Sequence, residues 1–197
     1  MSLRRCTDLS PATWLADSGT PWERLVTLGP DGFPSYARLR FIPDPTRSGQ
    51  SEADVTVSED HPSELAQVTR VLHRLWRFTA TPQECYFCLW DGYSGPLHGV
   101  AAGPLVCVPR GTNMREYALF RGQVTDIDEW ESLLGDQGGG LPPAIVWPAD
   151  HAWCFASDVD PHFAGIAASR TAVDALVADP VLDVVLVQPG EAVPTYY

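Results

Sequence analysis

This chain predicts an α+β fold, with a mainly antiparallel sheet and helices packed on one face. Three observations support it. Short aromatic and β-branched runs recur with turn formers between them, the pattern of antiparallel strands. Residues 61–79 and 169–178 carry apolar side chains at spacings of three and four, the period of a helix with one buried stripe. Strands and helices do not alternate regularly, which argues against a doubly wound parallel sheet.

In order, Ser10–Leu15 reads as a helix of about two turns, with serine at the cap and Pro11 in the first turn. Glu23–Leu28 and Ser35–Ile42 read as an antiparallel pair joined by Gly29–Pro34, a stretch dense in turn formers. On the second of these strands Tyr36, Arg38 and Arg40 share a face opposite Ala37, Leu39 and Phe41. Residues 43–60 read as a flexible polar loop holding one short strand, Asp54–Val57. His61–Thr79 follows as the strongest helix, with Leu65, Val68, Leu72, Leu75, Trp76 and Thr79 facing the core. Gln67, Arg70, Arg74 and Arg77 face water, and His73 sits at the boundary.

Glu84–Trp90 reads as a strand, so Cys85 and Cys88, three residues apart, point to opposite faces and form neither a redox pair nor half of a zinc site. Residues 97–103 form a flexible connection. Leu105–Val108 and Arg115–Phe120 make a meander, and Asp126–Leu134 is a helix stopped by Gly135. Residues 135–143 are a Gly/Pro linker; their glycines lack the lysine and following helix of a phosphate loop. Ala144–Trp147 and Ala152–Ala156 form a hairpin across Pro148-Ala149-Asp150-His151. A capped helix, Ser169–Ala178, and a last strand, Asp183–Val187, complete a single domain over residues 1–197.

Composition narrows the function classes. Apolar residues make up 45% of the 197 and charged residues 19%, ordinary globular values. Every basic residue is arginine, and the net charge is −12. Twenty of the 25 acids lie beyond residue 50, against seven of the 13 arginines. A surface of that sign repels phosphate backbones and disfavours nucleic acid, while it suits a basic protein partner. With no long apolar run and no signal-peptide core at the N-terminus, the expected location is cytoplasmic, without a membrane span. An odd number of cysteines, five, suits free thiols in a reducing compartment.

The candidate chemistry collects in the last third. Asp158, Asp160 and His162 alternate within five residues at the end of the second hairpin strand, and oxygen and imidazole ligands of this kind suit a divalent metal. The competing reading is that these acids are solvated or cap the next element. Asp150 and His151 mark the other end of that strand. Arg38 and Arg40 offer planar forks to an anionic ligand, or else pair with acids of the chain itself. Tyr93 and Trp153 are candidate aromatic anchors for a partner, with Trp153 also placed to be core. No serine elbow, histidine pair at metal spacing or phosphate loop is present, so no catalytic residue and no cofactor is assigned beyond that metal group.

Four segments carry a resemblance: Tyr86–Tyr93, Arg115–Gly122, Leu182–Val185, and Trp147–Asp160 with its W-P-x-D-x-x-W-C-x-x-x-D-x-D spacing. The chain from Tyr86 onward resembles an actinobacterial protein family of unassigned activity, and the resemblance implies none. In size, charge and build it is also similar to the acidic immunity proteins of bacterial contact-toxin systems. The resulting expectation is a non-enzymatic acidic binding protein, an immunity or escort protein for a basic partner. The alternative is a metal-assisted hydrolase using Asp158, Asp160 and His162 as ligands, with His151 or Asp150 as acid or base.

Overall fold

Nine strands build one sheet in the computed structural model, which describes residues 2–93, 98–112, 114–135, 138–188 and 192–197. In chain order the elements are β1 (Arg4–Arg5), α1 (Thr13–Ala16), α2 (Trp22–Leu28), β2 (Ser35–Arg40), α3 (Glu64–Leu75), β3 (Cys85–Trp90), α4 (His98–Ala101), β4 (Leu105–Val108), β5 (Arg115–Gly122), α5 (Trp130–Leu134), β6 (Ile145–Pro148), β7 (Trp153–Ala156), β8 (Phe163–Ala168), α6 (Arg170–Val177) and β9 (Val184–Leu186). Single 3₁₀ turns lie at Ser10–Ala12, Glu52–Asp54 and Trp76–Phe78, and a longer 3₁₀ segment spans Val124–Glu129. The strand order is β5-β3-β6-β7-β8-β2-β9, with β1 and β4 sharing the outer edge of β5, and all the pairings are antiparallel. The sheet therefore joins residues on both sides of the 135–143 linker.

Period-two alternation sorts the strands into two cores. On one face Ala37, Leu39, Phe87, Phe120, Trp153, Phe155 and Ile166 pack under the apolar stripes of α3 and α6 and under Trp130 of α5. On the other, Tyr86, Cys88, Tyr117, Leu119, Trp147 and Cys154 pack under Leu15 of α1 and Leu25 of α2. Cys85 and Cys88 face opposite cores, as the strand reading requires. Ser63 and Ser169 cap α3 and α6 by accepting the amides of Ala66 and Ala172. Gly135 ends α5 at φ 67°, a left-handed angle that glycine adopts without strain.

Several expectations are corrected. Residues 22–28 are helical rather than a strand: Glu23 sits in a favourable first turn, and Leu25 and Leu28, one turn apart, are buried together. β2 consequently pairs with β8 and β9 and has no hairpin partner before it. β8, the run FAGIAA, gave no strand signal because it is buried on both faces and has no polar alternation. Its Gly165 admits α2: a Cβ there would lie 2.3 Å from the Thr27 carbonyl oxygen and 2.4 Å from Leu28 Cα. In α3 Gln67 is buried, and in the 3₁₀ turn that follows it Trp76 is 42% exposed, the reverse of the expected arrangement. No strand forms at Asp54–Val57: a 3₁₀ turn, Glu52–Asp54, ends at the first residue of that stretch, and the turn is closed at its start by Ser51 and Asp54 in reciprocal hydrogen bonds. Within the expected 97–103 connection, residues 98–101 form α4; Leu97 lies outside the described residues. Among the described residues no helix is long and apolar enough to cross a membrane.

Candidate functional site

β2 leaves the sheet through Phe41-Ile42-Pro43-Asp44-Pro45, and the prolines turn the chain so that Asp44 folds back over the strand it has just left. Arg38 and Arg40 project from β2 on the face away from α3 and α6, into space that α2 does not cover. Arg38, 6% exposed, donates from both terminal nitrogens to Asp44 at 2.6 and 3.0 Å, and its guanidinium lies 5.0 Å from the Phe163 ring centroid. Arg40 bridges Asp44 at 3.1 Å and Asp183 at 2.7 Å. His162, at the start of β8, places Nε2 3.0 Å from Asp44 Oδ1. Burial alone would raise the Asp44 carboxyl. Hydrogen bonds from Arg38 and His162, and the charge of Arg38, outweigh it and hold the group well below the usual carboxylate range.

Residues 192–197 lie across this network. The Tyr196 ring meets His162 edge-on at 4.7 Å, its hydroxyl donates to the Pro43 carbonyl, and the Tyr197 amide donates to the Gln50 carbonyl at 3.0 Å. A cavity of about 170 Å³ lies to one side, lined by Arg38, Asp44, Val185 and Pro194 among others. On the other side is a cleft of about 470 Å³, whose walls include Glu52, Asp160, His162, Thr195, Tyr196 and Tyr197. Glu52 and Asp160 are exposed and have no ion-pair partner among the described residues, and no arginine lines this cleft. Two free carboxylates beside tyrosine faces make a receptacle for a cation.

The residues expected to bind metal are dispersed. Asp158 is held by Arg115 through two hydrogen bonds of 3.2 and 3.0 Å, and that guanidinium lies over the rings of Trp90 and Trp22 at 4.8 and 5.6 Å. Asp160 faces solvent, while His162 turns inward to Asp44. The strand ends at Ala156, so the period of two that would have aligned these side chains does not extend through residues 157–162. Among the described residues, no three His, Cys, Asp or Glu side chains form a group that could hold a metal ion.

The other candidates have structural partners. Asp150 accepts from the Thr79 hydroxyl and from the amides of Ala80 and Ala152, tying the hairpin turn to the end of the α3 region. Burial would raise its carboxyl, yet these bonds hold it below its ordinary range. His151 sits at φ 52° and stacks on Trp14 at 4.2 Å. Burial lowers its pKa, against the opposing pull of Asp150. Tyr93 is half-buried against Trp90 at 5.2 Å; burial first, then the charges of Glu64 and Asp158, pushes its hydroxyl up to about 12. Trp153 is fully buried in the core and cannot serve as a partner anchor. Arg38 and Arg40 spend their forks on Asp44 and Asp183 rather than on an outside anion.

Asp44, Glu52, Tyr196 and Tyr197 were not singled out from the sequence. Their signals were an acid between two prolines just after two strand arginines, and a tyrosine pair beyond the last strand. Fold and site together define an acidic α+β protein with an antiparallel sheet and an acid-and-tyrosine cleft at one end. Comparison with protein-family models, curated proteins and solved structures gave no match.

Proposed function

We propose that this is a non-enzymatic binding protein for a basic protein partner, and that an arginine or lysine of the partner enters the cleft between Glu52 and Asp160. The observation that carries this reading is the cleft itself: two carboxylates without an ion-pair partner among the described residues, two tyrosine rings and no wall arginine. The wider surface supports it, since exposed acids outnumber exposed arginines by about two to one among the described residues. Nearby arginines are held by other acids: Arg38, Arg40, Arg47 and Arg115 are each paired with an aspartate outside the cleft, and Arg115 meets Asp160 only as a further charge beyond its pair with Asp158. A field of that sign accelerates encounter with a cationic partner, and the cleft supplies the local fit. A protein that neutralises or escorts a basic toxin encoded beside it would have this chemistry.

The test is capture from the native host at low and high salt, followed by association kinetics of the recovered partner. Replacing both Glu52→Lys and Asp160→Lys is expected to slow association by roughly tenfold or more at low salt. The reversal Glu23→Lys, on α2 and outside the cleft, should act weakly. Recovery of no basic protein, or equal effects from the two sets of reversals, would remove the proposal.

A further inference from the structure

The two edges of the sheet are finished differently. At one, β1 and β4 divide the outer side of β5 between them, and Arg5 closes the gap by donating to the Pro104 carbonyl at 2.6 Å and the Leu119 carbonyl at 3.0 Å. The other edge is β9. Here Arg40 donates its amide to the Asp183 carbonyl and Val187 donates to that of Tyr36, so with the register Arg38↔Val185 the odd-numbered residues bond inward to β2. The amides and carbonyls of Val184 and Leu186 therefore point away from the sheet, and they have no partner among the described residues. Leu186 of this edge is 38% exposed; Val177 (44%) of α6, the helix packed against β9, and Val181 (59%), in the loop before β9, are exposed too.

We infer that β9 pairs antiparallel with β9 of a second copy, giving a reversible twofold dimer whose sheet runs on through both protomers. The edge is self-complementary. With Val185 opposite Val185 of the partner copy, Val184 falls opposite Leu186 and Leu186 opposite Val184. Both are then exchange pairs, each satisfying one outward amide and one outward carbonyl on either strand. The cross-strand neighbours so formed are apolar, and the twofold brings the exposed valines beside α6 toward the same seam. Charge does not oppose the contact at close range. Asp183 is matched by Arg40 and Asp179 by Arg74 within each protomer, and the remaining charge is screened beyond about 8 Å at physiological salt. The edge carries neither an unpaired charge nor a proline in Val184–Leu186 to block pairing.

Sedimentation velocity on the whole chain, from low to high micromolar concentration, tests the dimer. Wild type should shift from monomer to dimer, and the Val184 and Leu186 amides should gain hydrogen-exchange protection as it does. Leu186→Pro removes an outward amide without touching the β2 ladder, so it should stay monomeric with a wild-type melting temperature. Should proline disturb the fold, Leu186→Lys keeps the backbone and should also be monomeric. A wild type that is monomeric throughout, a species larger than a dimer, or a dimer that survives Leu186→Lys would overturn the inference.

Discussion

Under α3 and α6, Val68, Val71, Leu72, Val173 and Leu176 close the sheet with side chains that need only neighbours; on the opposite face, beyond α2, the columns of β2 and β9 are closed by Arg38, Arg40, Asp44 and His162, which need one another. An apolar face loses stability gradually as contacts are removed. A charged closure fails abruptly, because removing one member leaves a buried charge without compensation. The charged closure also ends at the surface, and there, under Tyr196 and Tyr197, the candidate cleft opens.

Removing Asp44 should have the largest effect on stability. Asp44→Ala strands Arg38 and His162 and is expected to cost about 3–5 kcal/mol by chemical denaturation. The paired change Arg38→Met with Asp44→Leu should be clearly milder than Asp44→Ala alone. If it is equally severe, the network is not the unit of stability. On the apolar face Leu72→Ala should cost about 2–5 kcal/mol with no such rescue, since Leu72 is fully buried. Gly165→Ala should cost about 1–3 kcal/mol, because the new methyl meets α2 backbone rather than a side chain that can swing away. Smallest is Tyr196→Phe, about 1 kcal/mol, the loss of one partly exposed hydrogen bond.

Acid sharpens the same contrast. The Asp44 carboxyl lies below its ordinary 3.8 in the folded protein, so the unfolded chain binds the proton first. The resulting stabilisation is fully present above that ordinary value and is lost as pH falls through the lower folded one. A pH series of melting temperatures should therefore drop below about pH 4, more steeply in wild type than in Asp44→Asn.

The apolar face was legible in the sequence and the charged one was not. α3 and α6 announce themselves by stripe and serine cap, and β3, β5, β6 and β7 by aromatic and β-branched content between turn formers. β8 stayed hidden because it is buried on both faces and so lacks polar alternation, and because its Gly165 answers the close approach of α2, a tertiary demand without a periodic trace. α2 was misread because its seven residues give too short a window to separate a period of 3.6 from one of 2. At the site, Asp160 was legible as an exposed acid, and the pairing of Arg38 and Arg40 with the chain's own acids was one of two readings in view. Pairing of Asp44 with His162, 118 residues away, and the return of residues 192–197 over both depend on the strand order, which local pattern does not encode.

The most direct test of a cation-accepting cleft is a titration of ¹⁵N-labelled protein with a short arginine-containing peptide and with its citrulline counterpart, which keeps the shape and loses the charge. Saturable shifts are expected from the arginine peptide, concentrated at residues 51–52, 159–162 and 195–197, weakened by salt and abolished in Glu52→Lys with Asp160→Lys. Equal shifts from the citrulline peptide, or shifts spread evenly over the acidic surface and unchanged in the double variant, would contradict it.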